Sequence, residues 1–149
     1  MGSVPPFGDA LNVEHSLDWV NERGDADGLQ MCADILESRL AELGGDRGRA
    51  TALLLDAVKV QDATPYSEPP SWFYPIRESL GAIQLKQNLA AAAEATFREG
   101  LRRTANDPRL LLGLSAALSA QQRSEEAAIA ERAFHAAWRG SGEVLPTQM

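Results

Sequence analysis

Two histidines, one cysteine and a scatter of helical acids are the side chains with which this chain could do chemistry. A nucleophile–base pair needs a positioned histidine or its equivalent. His135 stands among Arg132, Phe134 and Trp138 and reads as a helix-surface residue, while His15 stands in an irregular leader. Two isolated histidines and Cys32 do not make a zinc ligand set. A single cysteine can form no disulfide within the chain, and Cys32, set in an apolar run, reads as a small core residue. Glu94, Glu99, Glu125 and Glu126 read as solvated acids on polar helix faces. Neither a phosphate loop of the G-x-x-x-x-G-K type nor a G-x-G-x-x-G turn occurs. The expectation is a protein that is not an enzyme and needs no cofactor and no metal.

Charge narrows the partners. The formal net charge is -7, and it is uneven: residues 1–70 carry 13 acids and 5 bases, residues 71–149 carry 8 and 9. Phosphate contacts supply most nucleic-acid affinity, so an acidic chain without a basic stripe implies no nucleic-acid partner. No apolar run approaches the roughly 18 residues of a membrane helix, so no membrane contact is implied. The start, Met1-Gly2-Ser3-Val4-Pro5-Pro6, lacks a basic region followed by an apolar stretch, and the expected location is the cytoplasm. What remains is another protein or peptide, with a homo-oligomer as the alternative.

The elements that would position such contacts are helices. Alanine and leucine dominate the second half, and β-branched residues are sparse. An offset of 34 residues places Leu80 on Leu114, Ala82 on Ala116, Gln87 on Gln121, Ala93 on Ala127 and Arg98 on Arg132. Each stretch reads as two amphipathic helices. Ile76, Leu80 and Ile83 make one apolar stripe; Ala90, Ala93, Phe97 and Leu101 make the next, with Asn88 as the break. Leu110 or Leu111, Leu114, Ala117 and Leu118 follow, then Ala127, Ala130, Phe134, Ala137 and Trp138. Asp107 is placed to cap, with Pro108 at the first helical position, and Ser124 is placed to cap the last helix. An offset of 43 places Ala50 on Ala93, Leu54 on Phe97, Ala57 on Gly100 and Val58 on Leu101. That is one period plus a nine-residue insertion at Pro65–Phe73, and it predicts helices near 29–43 and 47–63 around a Gly44-Gly45-Asp46 turn.

These spacings resemble the tetratricopeptide-repeat family, whose pattern is W-x2-L-G-x2-Y, then A, A-x3-F, A and P. Leu80-Gly81, Ala93 and Phe97 match it, and so mark repeat-packing positions together with Ala50, Leu54, Leu114 and Ala127. Arg77, Gln84, Gly100 and Ala105 depart from it, as do Ser115 and Glu131 in the last repeat. The run from Asp62 to Trp72, followed by Pro75-Ile76-Arg77 and Leu80-Gly81, looks like a stretch found in longer bacterial repeat proteins of unassigned function. The resemblance implies an all-α, right-handed α-solenoid of about three helical hairpins over 29–139, binding a peptide or partner subunit in its concave groove. The alternative is a structural or oligomerisation subunit that uses the ends of the stack.

By repeat position, the same resemblance puts Arg39 and Glu42 on the concave face. Glu78, Ala82, Leu85 and Lys86 follow there from the second hairpin, and Arg109, Leu112, Ala116 and Ser119 from the third. Glu78, Lys86 and Arg109 would set a partner's register. Family members that hold a chaperone's terminal carboxylate use a Lys/Asn/Arg clamp; Glu78, Ala82, Leu112 and Ala116 stand in its place, so no such clamp is expected. The loop with Tyr66, Trp72 and Phe73 is either a partner-contacting lip or a linker packed on the hairpins. Residues 1–28 lie outside the repeat. Ala10, Leu11, Val13, Leu17 and Val20 predict a capping helix over 9–23 at the apolar end of the stack, and 140–149 form a flexible tail.

Overall fold

The computed structural model describes residues 26–64 and 75–139. Among them are six α-helices: α1 (Ala26–Leu43), α2 (Arg47–Ala63), α3 (Ile76–Lys86), α4 (Ala90–Arg103), α5 (Pro108–Ala120) and α6 (Ser124–Ala137). The described residues contain no strand. Every helix packs on the next one in the chain, and α3 also packs directly on α5. The helix expected over 47–63 is α2, and the one expected over 29–43 is α1, which begins earlier, at Ala26, inside the stretch assigned to the leader.

Three of the turns are one turn repeated. α1, α3 and α5 each end in a residue at positive φ: Gly45 at 84°, Asn88 at 60° and Gln122 at 60°. After each of these, the following N–H reaches five residues back: Asp46 to the carbonyl of Ala41, Leu89 to Gln84, and Arg123 to Leu118. This closure satisfies carbonyls that a helix end otherwise leaves without donors. The three left-handed residues are separated by the same 43 and 34 positions as the sequence repeat.

The predicted stripes are the buried faces. Ala50, Leu54 and Ala57 of α2 close on Met31 of α1 and on Ile76, Leu80 and Ile83 of α3. Ala93 and Phe97 of α4 close on Leu110, Leu114, Ala117 and Leu118 of α5 and on Ala127 and Ala130 of α6. Helix α3 lies between α2, α4 and α5, and each residue from Ile76 to Gln84 is buried. In a helix so enclosed, most polar groups find partners within the protein. Gln84 accepts from the Thr96 hydroxyl, and Arg77 makes a two-pronged pair with Asp62 at 2.9 and 2.6 Å.

Several local expectations change. Ser124 does not cap α6: it is the first helical residue, and Arg123 holds the cap position without a side-chain cap bond. Asp107 does cap α5, accepting from the N–H groups of Arg109 and Leu110. Cys32 is half-buried rather than in the core. Trp138 ends α6 instead of continuing its stripe, with its ring 5.7 Å from that of Phe134.

Candidate functional site

The face shared by α1, α3 and α5 carries the residues that the repeat positions single out. The direct packing of α3 on α5, across the intervening α4, makes the first helices of two successive pairs neighbours. Side chains extend this row to α1. The Arg39 guanidinium donates to the Ser79 hydroxyl at 3.0 Å, and the Lys86 ammonium donates to Glu42. On the other flank of α3, Arg109 donates to Glu78 at 3.2 Å. A chain of polar links therefore crosses from α1 through α3 to α5.

This alters the role read for three residues. Glu78, Lys86 and Arg109 were expected to set the register of a partner; the structure has each paired with another residue of the same face. Glu78 is buried, and its second carboxylate oxygen has no hydrogen-bond partner. The reason is local. Glu78 is the third residue of α3, where a glutamate side chain ordinarily turns back to the N–H of the cap residue. That residue is Pro75, which has no N–H.

The rest of the face is small and apolar. Ala82 is buried; Leu85, Leu112 and Ala116 are half-buried; Arg39, Arg109 and Ser119 are exposed. Leu85 packs from this face onto the Phe97 cluster. Glu42 lies between Arg39 and Lys86, and its carboxyl is held below the usual range, chiefly by the Lys86 hydrogen bond and against the opposing effect of burial. Such a surface offers apolar contact along α3 and α5, with paired charges from α1 and at its rims. Tyr66, Trp72 and Phe73 lie outside the described residues, as do the predicted leader helix and the tail.

The residues read as packing positions lie in the interior. Ala50, Leu54, Leu80, Gly81, Ala93, Phe97, Leu114 and Ala127 are all buried. A further lock holds one helix pair to the next. The Gln87 amide donates to the Arg47 carbonyl and the Thr51 hydroxyl of α2. One repeat later, the Gln121 amide donates to the Ala90 carbonyl and the Glu94 carboxylate of α4. The two glutamines match at an offset of 34, and their partners at 43. Glu94 is thus no merely solvated acid. It also takes Arg123 at 2.7 Å and Arg98 at 2.9 Å, and its carboxyl is held below the usual range, first by Gln121 and then by the two arginines.

Gly113 is the residue that the repeat pattern does not mark. The Phe97 ring lies against both Gly81 and Gly113, and a β-carbon at either would come within 2.4 Å of a ring carbon. The family pattern asks for a small residue at 115, where Ser115 stands; the close approach falls two residues earlier. The signal that could have found it is the Gly in Leu112-Gly113-Leu114, an otherwise wasteful residue in the middle of a strong helix.

Among the described residues, no group of three or more His, Cys, Asp or Glu side chains is placed to hold a metal ion, and no helix is long and apolar enough to cross a membrane. His135 is exposed in the last turn of α6, its ring 5.0 Å from that of Phe134. Comparison with protein-family models, curated proteins and solved structures finds no match to the chain.

Proposed function

We propose that the chain is a protein-interaction module of the tetratricopeptide-repeat kind. In this reading the three helix pairs form a right-handed α-solenoid in the cytoplasm, and the face of α1, α3 and α5 takes a peptide or a partner subunit. The observation that carries it is the repeated lock: Gln87 and Gln121 each tie the end of a first helix to the second helix of the preceding pair, at equivalent atoms. Pairs joined by one repeated contact stack in a row and present their first helices side by side. A continuous, small-residue helical face of this kind suits an amphipathic helix or an extended segment. The charges along it are spoken for within the chain, so recognition rests on shape and apolar contact around Leu85, Leu112 and Ala116. The exposed Arg39 and Arg109 guanidinium groups guide the rim.

The test is an affinity capture with the full chain, its Leu112→Glu/Ala116→Arg variant and an opposite-face control, Glu131→Arg. A partner bound by the chain and the control but lost by the groove variant supports the reading. Equal capture by all three removes the groove from it.

A second reading, a structural subunit joined through the ends of the stack, draws on the exposed leucines of α1. A mass that rises with concentration in light scattering would favour it; a fixed monomer mass would remove it.

A further inference from the structure

Helix α1 has two apolar faces. One carries Met31 and packs on α2 and α3. The other carries Leu29, Leu36, Leu40 and Leu43, exposed by 42%, 65%, 68% and 86%, with Ala33 exposed in the same row. The spacing 29, 33, 36, 40, 43 is that of a seam made to meet another helix. At 100° per residue this row points directly away from Met31, Asp34 and Ser38, the buried side of α1. A leucine row left to water on a helix that is already packed on its far side calls for a cover.

We propose that residues 9–23 of the same chain form that cover, folding back as a helix antiparallel to α1 along the leucine row. Three observations choose this occupant. The segment carries an apolar row of its own at Ala10, Val13, Leu17 and Val20, the spacing of one helix face. Gly24 and Asp25 alone separate it from α1, a link short enough to force an antiparallel neighbour, with the glycine where a helix end needs one. Folding back at that link sets Val20 beside Leu29, Leu17 beside Ala33, Val13 beside Leu36 and Ala10 beside Leu40, to within one residue. The segment is thus long enough to cover the row as far as Leu40.

The segment bears Asp9, Glu14, Asp18 and Glu22 against Arg23 alone. Its start would come down beside the far end of α1, where Leu40 and Ala41 form a hollow with the ion-paired Glu37 and Arg49, and where Arg47 is exposed. Mass action decides between this occupant and a second copy of the chain. A segment tethered by a short link acts at an effective concentration on the order of millimolar, above any ordinary concentration of the free protein. The inference concerns a face apart from the proposed groove, and it stands or falls independently of that reading.

The experiment uses the full chain in a Cys32→Ala background. Val13→Cys is paired with Leu36→Cys, and separately with Ile129→Cys on exposed α6. Mild oxidation is expected to close the 13–36 pair within the monomer at least tenfold faster than the 13–129 pair. Closure of both at one rate would overturn the proposal. Disulfide-linked dimers formed ahead of the internal bond would also overturn it and give the face to a second copy. Hydrogen exchange on the unaltered chain is the second readout. Amides of residues 11–22 are expected to exchange at least tenfold slower than an unstructured peptide, and Leu36→Asp to remove that protection while α4, α5 and α6 keep theirs. Free exchange of these amides in the unaltered chain would overturn the proposal.

Discussion

The Phe97 ring lies so close to Gly113 that a β-carbon on that glycine would fall 2.3 Å from Cε1. Gly81 approaches the ring as tightly, 2.4 Å from a hypothetical β-carbon to Cζ. The ring from α4 therefore fills the space that two bare backbones, on α3 and α5, leave for it. Packing of this kind joins consecutive helix pairs into one core.

Gly113→Ala and Gly81→Ala are each expected to destabilise the fold by about 1–3 kcal/mol, the usual result of overfilling a packed core. Alanine's better helix propensity, about 1 kcal/mol, works in the opposite direction and keeps the loss from being larger. Phe97→Leu is expected to relieve the clash, so that Gly113→Ala costs less in that background. Urea unfolding of the four chains in this double-mutant cycle measures the coupling, and strict additivity would contradict the contact.

The Arg77–Asp62 pair is the most enclosed ion pair among the described residues, with the arginine side chain only 8% exposed and the aspartate 30%. Removing one partner of a buried pair strands the other charge. Asp62→Ala is expected to cost about 3 kcal/mol, the low end for such losses, because water reaches the carboxylate and Arg103 shares it. Arg77→Met, which leaves an exposed acid and an apolar stem, is expected to cost much less. Thermal denaturation of both variants checks the asymmetry; a larger loss for Arg77→Met would contradict it.

Gln122 sits at a φ of 60° with a side chain that earns nothing from that conformation. Left-handed backbone costs an ordinary residue about 1–2 kcal/mol and glycine nothing. Gln122→Gly is expected to stabilise the protein by about 0.5–1 kcal/mol, after allowing for glycine's greater freedom in the unfolded chain. Gln122→Ala should be close to neutral. The pair of unfolding midpoints decides it, and destabilisation by glycine would contradict the turn.

Acid should weaken the fold through its paired carboxylates. Glu42 is held below the usual range chiefly by Lys86, Glu94 by Gln121, Glu99 by Arg103 and Glu126 by Arg123. Each takes up its proton less readily folded than unfolded, so the unfolded chain binds more protons as the pH falls. Their contribution is whole above the ordinary glutamate pKa of about 4.3 and drains away as pH drops through the lower folded values. Urea midpoints are expected to stay level from pH 7 to about 5 and to fall steadily below that. Glu42→Gln should reduce the acid slope, and a midpoint unchanged down to pH 3 would contradict the pairing.

The helices and their order were legible because each depends on local signals. Asn88 and Gly45 mark turns, Asp107-Pro108 marks a start, and the apolar stripes set the buried faces. What stayed hidden depends on atoms from distant parts of the chain meeting. Glu94 reads as a surface acid until Gln121 and Arg123 arrive beside it from the next pair. Arg77 reads as a departure from a repeat pattern until Asp62 explains it. Glu78, Lys86 and Arg109 are singled out by repeat position, but spacing along one helix could not show that they pair across helices. Gly113 was missed because the close approach of Phe97 falls two residues from where the repeat frame points.

The most direct test of the binding account is a map of amide chemical shifts. Isotope-labelled protein would be titrated with a peptide selected against the folded chain from a displayed library. The account predicts that the shifting amides cluster on α1, α3 and α5, around Leu85, Leu112 and Ala116, and that Leu112→Glu/Ala116→Arg abolishes them. Shifts confined to α2, α4 and α6, or to the ends of the stack, would contradict it.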